Sequence, residues 1–199
     1  MRWPRALRMP PEPPDRAGAP SAAPDAELLY TTLLTALRGA STGERAQSLR
    51  LVGIHSGGAW VAERLHRDLG LPDRIGTLDI SFYRDDFDRI GLHGQVKPSE
   101  IGFNVNGADI VLVDDVLYTG RTLRGAINVL FDYGRPARIE LAVLIDRETP
   151  ESDARELPIA ARWAGARIAL ARGQEFVLAR DAGRLTFAVA AAPLPEARA

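Results

Sequence analysis

Apolar residues recur along the chain with two different periods, and the way these alternate sets the expected fold. Leu28, Leu29, Leu33 and Leu37 fall at helical spacing behind Asp25, a good N-cap, so the pattern predicts a helix from Ala26 to about Leu37, ended by Gly39. Leu49 to Ile54 reads as a short apolar strand. After His55-Ser56-Gly57-Gly58 a second helix is predicted, with Val61, Leu65 and Leu69 on one face and with Gly70 and Pro72 as its stop. Ile75 to Tyr83 alternates as a strand, whereas Arg84 to Gly107 holds four glycines and a proline without sustained periodicity, the pattern of a lid or a mobile loop. Ile110 to Val113 is uniformly apolar, as a central parallel strand covered on both faces requires. A helix from about Arg121 to Tyr133, closed by Gly134, and a buried strand from Ile139 to Ile145 follow.

Strands and helices in this order join by right-handed crossovers, so the predicted class is α/β: an open, mostly parallel sheet flanked by helices. From Pro150 onward come a polar insertion, Leu157-Pro158-Ile159, and three short alternating segments near 166–170, 174–179 and 185–190. These are expected to add antiparallel strands to the edge of that sheet. Residues 1–24 carry seven prolines and no apolar periodicity, which predicts a disordered extension. The expected organisation is therefore an extension over 1–24, one folded domain over 25–190 and a flexible tail over 191–199.

Composition narrows the chemistry. The chain has 199 residues, 46% of them hydrophobic, with 25 Lys plus Arg against 26 Asp plus Glu and no cysteine. That length supports a core without staples. With no cysteine, thiol catalysis, disulfides and the common structural zinc sites are excluded, and His55, His66 and His93 are too scattered to form a metal cage, so no protein-borne metal site is expected. A net charge of -1 provides no general positive field for nucleic acid. The apolar runs fall far below the roughly 20 residues that span a bilayer, and proline interrupts the start before any secretory core, so a cytoplasmic protein is expected. Lys97 is the only lysine among many arginines, a bias ascribed to coding and given no function.

The stretch Asp109-Ile-Val-Leu-Val-Asp-Asp-Val-Leu-Tyr-Thr-Gly-Arg-Thr-Leu-Arg124 carries the clearest chemistry. A buried strand ends in Asp114 and Asp115, a turn with Thr119, Gly120 and Thr122 follows, and a helix begins. In an open parallel sheet the ligand crevice lies at the carboxyl ends of the strands, where these residues fall. Backbone N–H groups of residues 118–122 would converge at the helix N-terminus, with the Thr119 and Thr122 hydroxyls adding donors, and form a pocket for a phosphate monoester. Paired carboxylates accept hydrogen bonds only, which suits vicinal ribose hydroxyls. Together they describe a holder for ribose 5-phosphate.

This segment resembles the phosphoribosyl-pyrophosphate motif of type I phosphoribosyltransferases. More closely, Leu78-Asp-Ile-Ser-Phe-Tyr-Arg-Asp-Asp86, Val113-Asp-Asp-Val-Leu-Tyr-Thr-Gly-Arg-Thr122, Gly134-Arg-Pro136, Leu144-Ile-Asp-Arg147 and Arg155-Glu-Leu-Pro-Ile159 resemble the family of bifunctional pyrimidine-operon regulators and uracil phosphoribosyltransferases. The resemblance covers about residues 25–190. It implies the type I phosphoribosyltransferase fold with a small hood subdomain. It also implies conversion of uracil and phosphoribosyl pyrophosphate to uridine monophosphate and pyrophosphate, with Mg2+ carried by the substrate, in a homodimer or larger homo-oligomer. Such a displacement at ribose C1 passes through an oxocarbenium-like state and asks for positioning and charge neutralisation, not for a strong nucleophile.

The resemblance assigns roles residue by residue. Asp114 and Asp115 orient the ribose hydroxyls, and Arg84 joins them as catalytic. Val116, Leu117, Tyr118, Thr119, Gly120, Arg121 and Thr122 hold the 5-phosphate. His55, Ser56, Gly57 and Gly58 form the pyrophosphate loop, although the two glycines equally serve a plain tight turn. Asp146, Arg147, Arg155 and Leu157 belong to the hood over uracil, whose backbone amides read the base. Arg84, Asp85 and Asp86 open the long loop, where His93 and Lys97 also lie. The run at 55–58 departs from the family pattern, which has an arginine where Gly57 stands; placing arginine there is expected to add a charge-assisted contact to pyrophosphate if the backbone tolerates a side chain. The hood is also longer, over Glu148 to Asp153, and has Ala154 where a histidine is usual.

Regulatory members of the family bind RNA through basic residues on the first helix, but Glu27 to Arg38 has no basic residue before Arg38, so RNA binding is expected to be weak or absent. A regulator remains an alternative if Arg124, Arg135, Arg138, Arg155 and Arg162 gather on one face. A non-catalytic sensor of phosphoribosyl pyrophosphate or a nucleotide is the other.

Overall fold

A computed structural model describes residues 23–41, 48–80, 99–148, 155–171 and 173–192. Most of the expected N-terminal extension and C-terminal tail, residues 81–98 with Arg84, His93 and Lys97, and residues 149–154 of the hood lie outside the described residues.

Five parallel strands form the sheet: β1 (Leu49–Ile54), β2 (Gly76–Leu78), β3 (Asp109–Leu117), β4 (Arg138–Glu148) and β5 (Trp163–Ala169), in the order β2-β1-β3-β4-β5. Three helices pack on it: α1 (Ala26–Ala40), α2 (Gly57–Leu69) and α3 (Arg121–Tyr133). The apolar run of β3 divides by alternation: Val111 and Val113 join the core beneath α1 and α2, while Ile110 and Leu112 join the core beneath α3. A strand buried on both faces shows no polar alternation, which is why this segment reads as a continuous apolar stretch. Asp25 caps α1 as expected, its carboxylate accepting from the Glu27 and Leu28 amides at 2.9 and 3.3 Å.

Two expectations need correction. The segment near 166–170 is not antiparallel: β5 pairs parallel with β4, from Ala142↔Trp163 to Glu148↔Ala169. Alternation alone cannot fix strand direction, and the connection between β4 and β5 spans a dozen or more residues, as a parallel crossover needs. The last two segments, β6 (Gln174–Asp181) and β7 (Arg184–Ala191), are antiparallel to each other but form a separate two-stranded sheet instead of extending the main one. Ala182 and Gly183 have φ of 45° and 83°, the left-handed pair that a tight hairpin turn requires. The inner face of the hairpin, with Phe176, Leu178, Leu185 and Phe187, enters the core of α1 and α2. β2 is also shorter than expected, and residues 81–83 of the predicted strand lie outside the described set.

A polar cluster ties α1, α2 and the hairpin together. Arg64 pairs with Glu27 at 2.7 Å and lies 3.9 Å over the Tyr30 ring, Tyr30 donates to Asp68 at 2.7 Å, and the Leu185 amide donates to Glu27 at 2.8 Å. The Arg64 guanidinium holds the Glu27 carboxyl below its ordinary pKa, and the Tyr30 hydroxyl does the same for Asp68. Burial pushes the Tyr30 phenol up.

Candidate active site at the strand switch point

From β1 the chain crosses outward to β2, and then back past β1 to β3, β4 and β5. Crossovers therefore leave β1 and β3 in opposite directions, and the crevice this opens at their carboxyl ends is where open α/β sheets bind ligands. The two segments singled out in the sequence, 55–58 and 114–122, lie at those two ends.

At the end of β1 the His55 amide donates to the Leu78 carbonyl at 2.9 Å, the His55–Ser56 peptide is cis, and α2 begins at once with Gly57. Both glycines are required by close approach. A Cβ on Gly58 would stand 2.2 Å from the Val113 carbonyl oxygen and 2.8 Å from the Asp114 Cα, and one on Gly57 would stand 2.6 Å from Asp115 Oδ2. The start of α2 is thus pressed against the carboxylate pair, and the backbone does not accept an arginine at Gly57 unless Asp115 moves. Gly57 is not among the glycines with positive φ, so the obstacle is the carboxylate and not the turn. Ser56 makes no side-chain cap to α2, and its first turn holds no acidic residue.

At the end of β3, Asp114 is buried and Asp115 partly so, and the Asp115 amide donates to Asp114 Oδ1 at 3.0 Å. The strand continues through Val116 and Leu117, with Leu117 fully buried, up to the turn of residues 118–120. Gly120 adopts φ 92° at the N-cap of α3, a conformation glycine takes without penalty. No side chain caps α3 from that position, and its first turn is free of acids. The Thr119 hydroxyl accepts from the Arg121 amide at 3.3 Å, and its own hydrogen remains a donor. The result is a helix start with one amide held by Thr119 and no acidic residue in its first turn, beside two carboxylates, an arrangement able to bind an anion and a pair of hydroxyls together.

The hood residues close the other side. Leu157 and Ile159 pack over Gly120, and the Leu157 amide donates to the Thr119 carbonyl at 3.3 Å. The Ile159 amide donates to the Leu157 carbonyl at 2.7 Å, so these two amides are engaged within the protein rather than turned to a base. Asp146 and Arg147 lie within β4, both buried, and with Glu148, Arg155 and Arg167 they line a cleft of about 410 Å³. Arg147 stacks 4.0 Å over the Tyr118 ring and donates to the Gln174 carbonyl at 2.9 Å, linking the phosphate turn to the hairpin. Arg121 pairs with Glu156 at 2.6 Å.

These arginine contacts carry no spacing signal in the sequence; an arginine closing the apolar run of β4 was the one available hint. Ser99 was missed as well: its hydroxyl accepts from the Asp79 amide at 3.0 Å, next to a short antiparallel bridge between Thr77 and Glu100. Two of the arginines considered for a nucleic-acid face, Arg138 and Arg155, lie far apart. Arg138 opens β4 and Arg155 pairs with Asp146 near its other end, roughly 26 Å away at the rise of a strand. No group of three or more His, Cys, Asp or Glu residues able to hold a metal occurs among the described residues. No helix among them is long and apolar enough to cross a membrane.

A family model described as the phosphoribosyl transferase domain matches residues 33–163. The bifunctional protein PyrR of Ralstonia nicotianae is 48% identical over 167 residues, covering 82% of this chain and 92% of its own. The chain belongs to the PyrR family of type I phosphoribosyltransferases. Bifunctional protein PyrR of Pseudomonas aeruginosa is 54% identical over 129 residues, covering 65% of this chain and 73% of its own. The PyrR-family fold extends to more distant solved structures. A hypoxanthine phosphoribosyltransferase from Staphylococcus aureus superposes with a TM-score of 0.55 at 21% identity, covering 76% of this chain and 78% of its own. A hypoxanthine-guanine phosphoribosyltransferase from Bacillus anthracis gives 0.56 at 20% identity, covering 76% and 86%. At that identity the likeness concerns the fold.

Proposed function

We propose that the chain transfers the phosphoribosyl group of phosphoribosyl pyrophosphate to uracil, releasing pyrophosphate. The observation that carries this reading is the pressing of the α2 start against Asp115, which puts two helix starts, neither with an acid in its first turn, on either side of one carboxylate pair. A substrate with an anion at each end of a ribose suits such a spacing of charge and hydroxyl partners.

In this reading Asp114 and Asp115 accept from the ribose hydroxyls and hold the ring, and the amides of 118–122 with the Thr119 and Thr122 hydroxyls hold the 5-phosphate. The loop of His55, Ser56, Gly57 and Gly58 faces the departing pyrophosphate with backbone donors and the α2 dipole. The C1–oxygen bond to pyrophosphate breaks, the bond from C1 to a ring nitrogen of uracil forms, and that nitrogen loses its proton. The chain holds the two reactants in line for this exchange. The cleft of Asp146, Arg147 and Arg155 bounds the base side. Mg2+ would arrive with the substrate, as the resemblance implies, and supply neutralisation of the leaving charge, while Asp114 and Asp115 keep to the ribose hydroxyls.

Turnover of labelled uracil with phosphoribosyl pyrophosphate and Mg2+ tests the reading: uridine monophosphate is the expected product. Binding of phosphoribosyl pyrophosphate without turnover supports instead a sensor, the reading favoured by glycine in place of arginine at 57. The relatives' name, bifunctional, supports an added regulatory role, yet α1 carries one basic residue, Arg38, in its last turn. An RNA mobility shift at defined salt is expected to show weak binding.

A further inference from the structure

Arg155 was assigned to the hood over the base, but its guanidinium is directed elsewhere. Its Nε donates to the Tyr118 carbonyl at 3.2 Å, its Nη1 to the Ile159 carbonyl at 2.8 Å and its Nη2 to the Asp146 carboxylate. These acceptors come from three parts of the site: the phosphate turn, the far end of the hood segment and the carboxyl end of β4. The side chain is only 22% exposed, and its bonds to Ile159 and Asp146 are partly buried while that to Tyr118 is exposed. A planar fork of donors fixes three acceptors relative to one another, which a single ammonium on a flexible stem does not. Tyr118 is held on its ring as well, by Arg147. The Leu157 amide, two residues from Arg155, meets the Thr119 carbonyl and closes a second link between the same two segments.

We propose that Arg155 is a positioning residue that couples the base pocket to the phosphate turn. An anion gripped by the amides of 118–122 fixes the Tyr118 carbonyl, and through the guanidinium it fixes Asp146, which bounds the base side, and the Ile159 carbonyl at the end of the hood segment. Loading the turn therefore pre-organises the base wall, and by linkage a ligand on the base side tightens binding at the turn by the same factor. Arg155 touches no reacting atom in this scheme. The inference rests on the reading of 118–122 as the phosphate turn, so its test includes a readout that needs no base.

The experiment uses the full chain and compares wild type, R155Q and R155K, with ribose 5-phosphate as the probe and amide hydrogen exchange as the readout. In wild type, ribose 5-phosphate slows exchange at residues 118–122 and also at Leu157 and Ile159. In R155Q the slowing at 118–122 stays within about twofold of wild type and that at Leu157 persists through its bond to the Thr119 carbonyl, while that at Ile159 is lost. R155K, which folds even if R155Q does not, restores part of it. In turnover, R155Q raises KM for uracil roughly tenfold or more, the loss expected for charge-assisted hydrogen bonds, with ribose 5-phosphate affinity changed less than about threefold. Slowing at both 118–122 and Ile159 in R155Q, or equal loss at both together with ribose 5-phosphate affinity, overturns the coupling. No slowing at 118–122 in wild type overturns the reading of the turn itself, a result distinct from either.

Discussion

The two glycines that open α2 make a paired prediction, because a methyl group added at each meets a different kind of neighbour. In G58A the new Cβ would lie 2.2 Å from the Val113 carbonyl oxygen and 2.8 Å from the Asp114 Cα, and both obstacles are backbone of a central strand. Neither yields without parting α2 from β3, and overpacking of this kind costs about 1–3 kcal/mol or more, against about 0.4–1 kcal/mol returned by the less flexible unfolded chain. At about 2–4 °C per kcal/mol for a chain of this size, G58A is expected to melt several degrees below wild type. In G57A the obstacle is Asp115 Oδ2 at 2.6 Å, the end of a side chain that can turn away. Stability should then hold within about 1 kcal/mol, since strain and unfolded-state entropy offset each other. To regain an ordinary contact of 3.4 Å, however, the carboxylate must retreat by about 0.8 Å, and a misplacement near 1 Å costs up to about a hundredfold in rate. Thermal unfolding and kcat/KM with uracil and phosphoribosyl pyrophosphate, measured on both variants, separate the two effects. G57A with wild-type kcat/KM refutes the placement of Asp115 on the ribose, and G58A with a wild-type melting temperature refutes the packing.

Three further outcomes follow from the same structure. D114N with D115N is expected to lower kcat/KM for phosphoribosyl pyrophosphate by about a hundredfold or more while leaving the melting temperature near wild type; unchanged kinetics would remove the ribose-holding role. Deletion of residues 1–24 keeps the Asp25 cap of α1 and is expected to leave melting temperature and activity unaltered, which calorimetry and turnover check directly. R64Q removes the cation that holds Glu27 below its ordinary pKa of 4.5, a contribution present above that value and lost as pH falls through the lowered one. The variant should therefore melt below wild type at pH 7, and the gap should narrow below about pH 4; a constant gap across that window would refute the linkage.

How much of this was legible depends on what each feature leaves in the sequence. The strands β1, β3 and β4 are apolar runs because each is covered on both faces, and a run of that kind is visible without knowing its neighbours. The phosphate turn was visible because Asp114 to Thr122 combines a strand end, two carboxylates and a helix start in one continuous stretch. Strand direction was not visible at β5, because a period of two is the same in parallel and antiparallel pairs. Nor was the placement of the β6–β7 hairpin, whose apolar face fits the core beside α1 as well as it would fit an edge. Gly57 is the instructive case. Read along the sequence it is a position from which an arginine is missing, whereas in the folded chain the space a side chain would need is filled by Asp115, 58 residues further on. Arg155 escaped in the same way, since its three acceptors come from positions 118, 146 and 159 and share no spacing.

These side-chain commitments also determine where the positive potential of the site comes from. Among the described residues around the phosphate turn, Arg155 is bound to Asp146 and two carbonyls, Arg147 to carbonyls and the Tyr118 ring, and Arg121 to Glu156. The first two are held mostly in partly buried bonds and cannot turn to a ligand without leaving Asp146 or the hairpin unsatisfied. The Arg121–Glu156 pair is exposed on both sides and worth little by itself, so exchanging Glu156 for a phosphate oxygen there costs little. At the other end of the ribose, Gly57 contributes no charge at all. Among the described residues, attraction for a ligand with several negative charges would then rest, in the proposed reading, on the two helix starts and their amides, with a divalent cation arriving with the ligand. Of these, the helix starts act over a single turn and discriminate by geometry rather than by net charge.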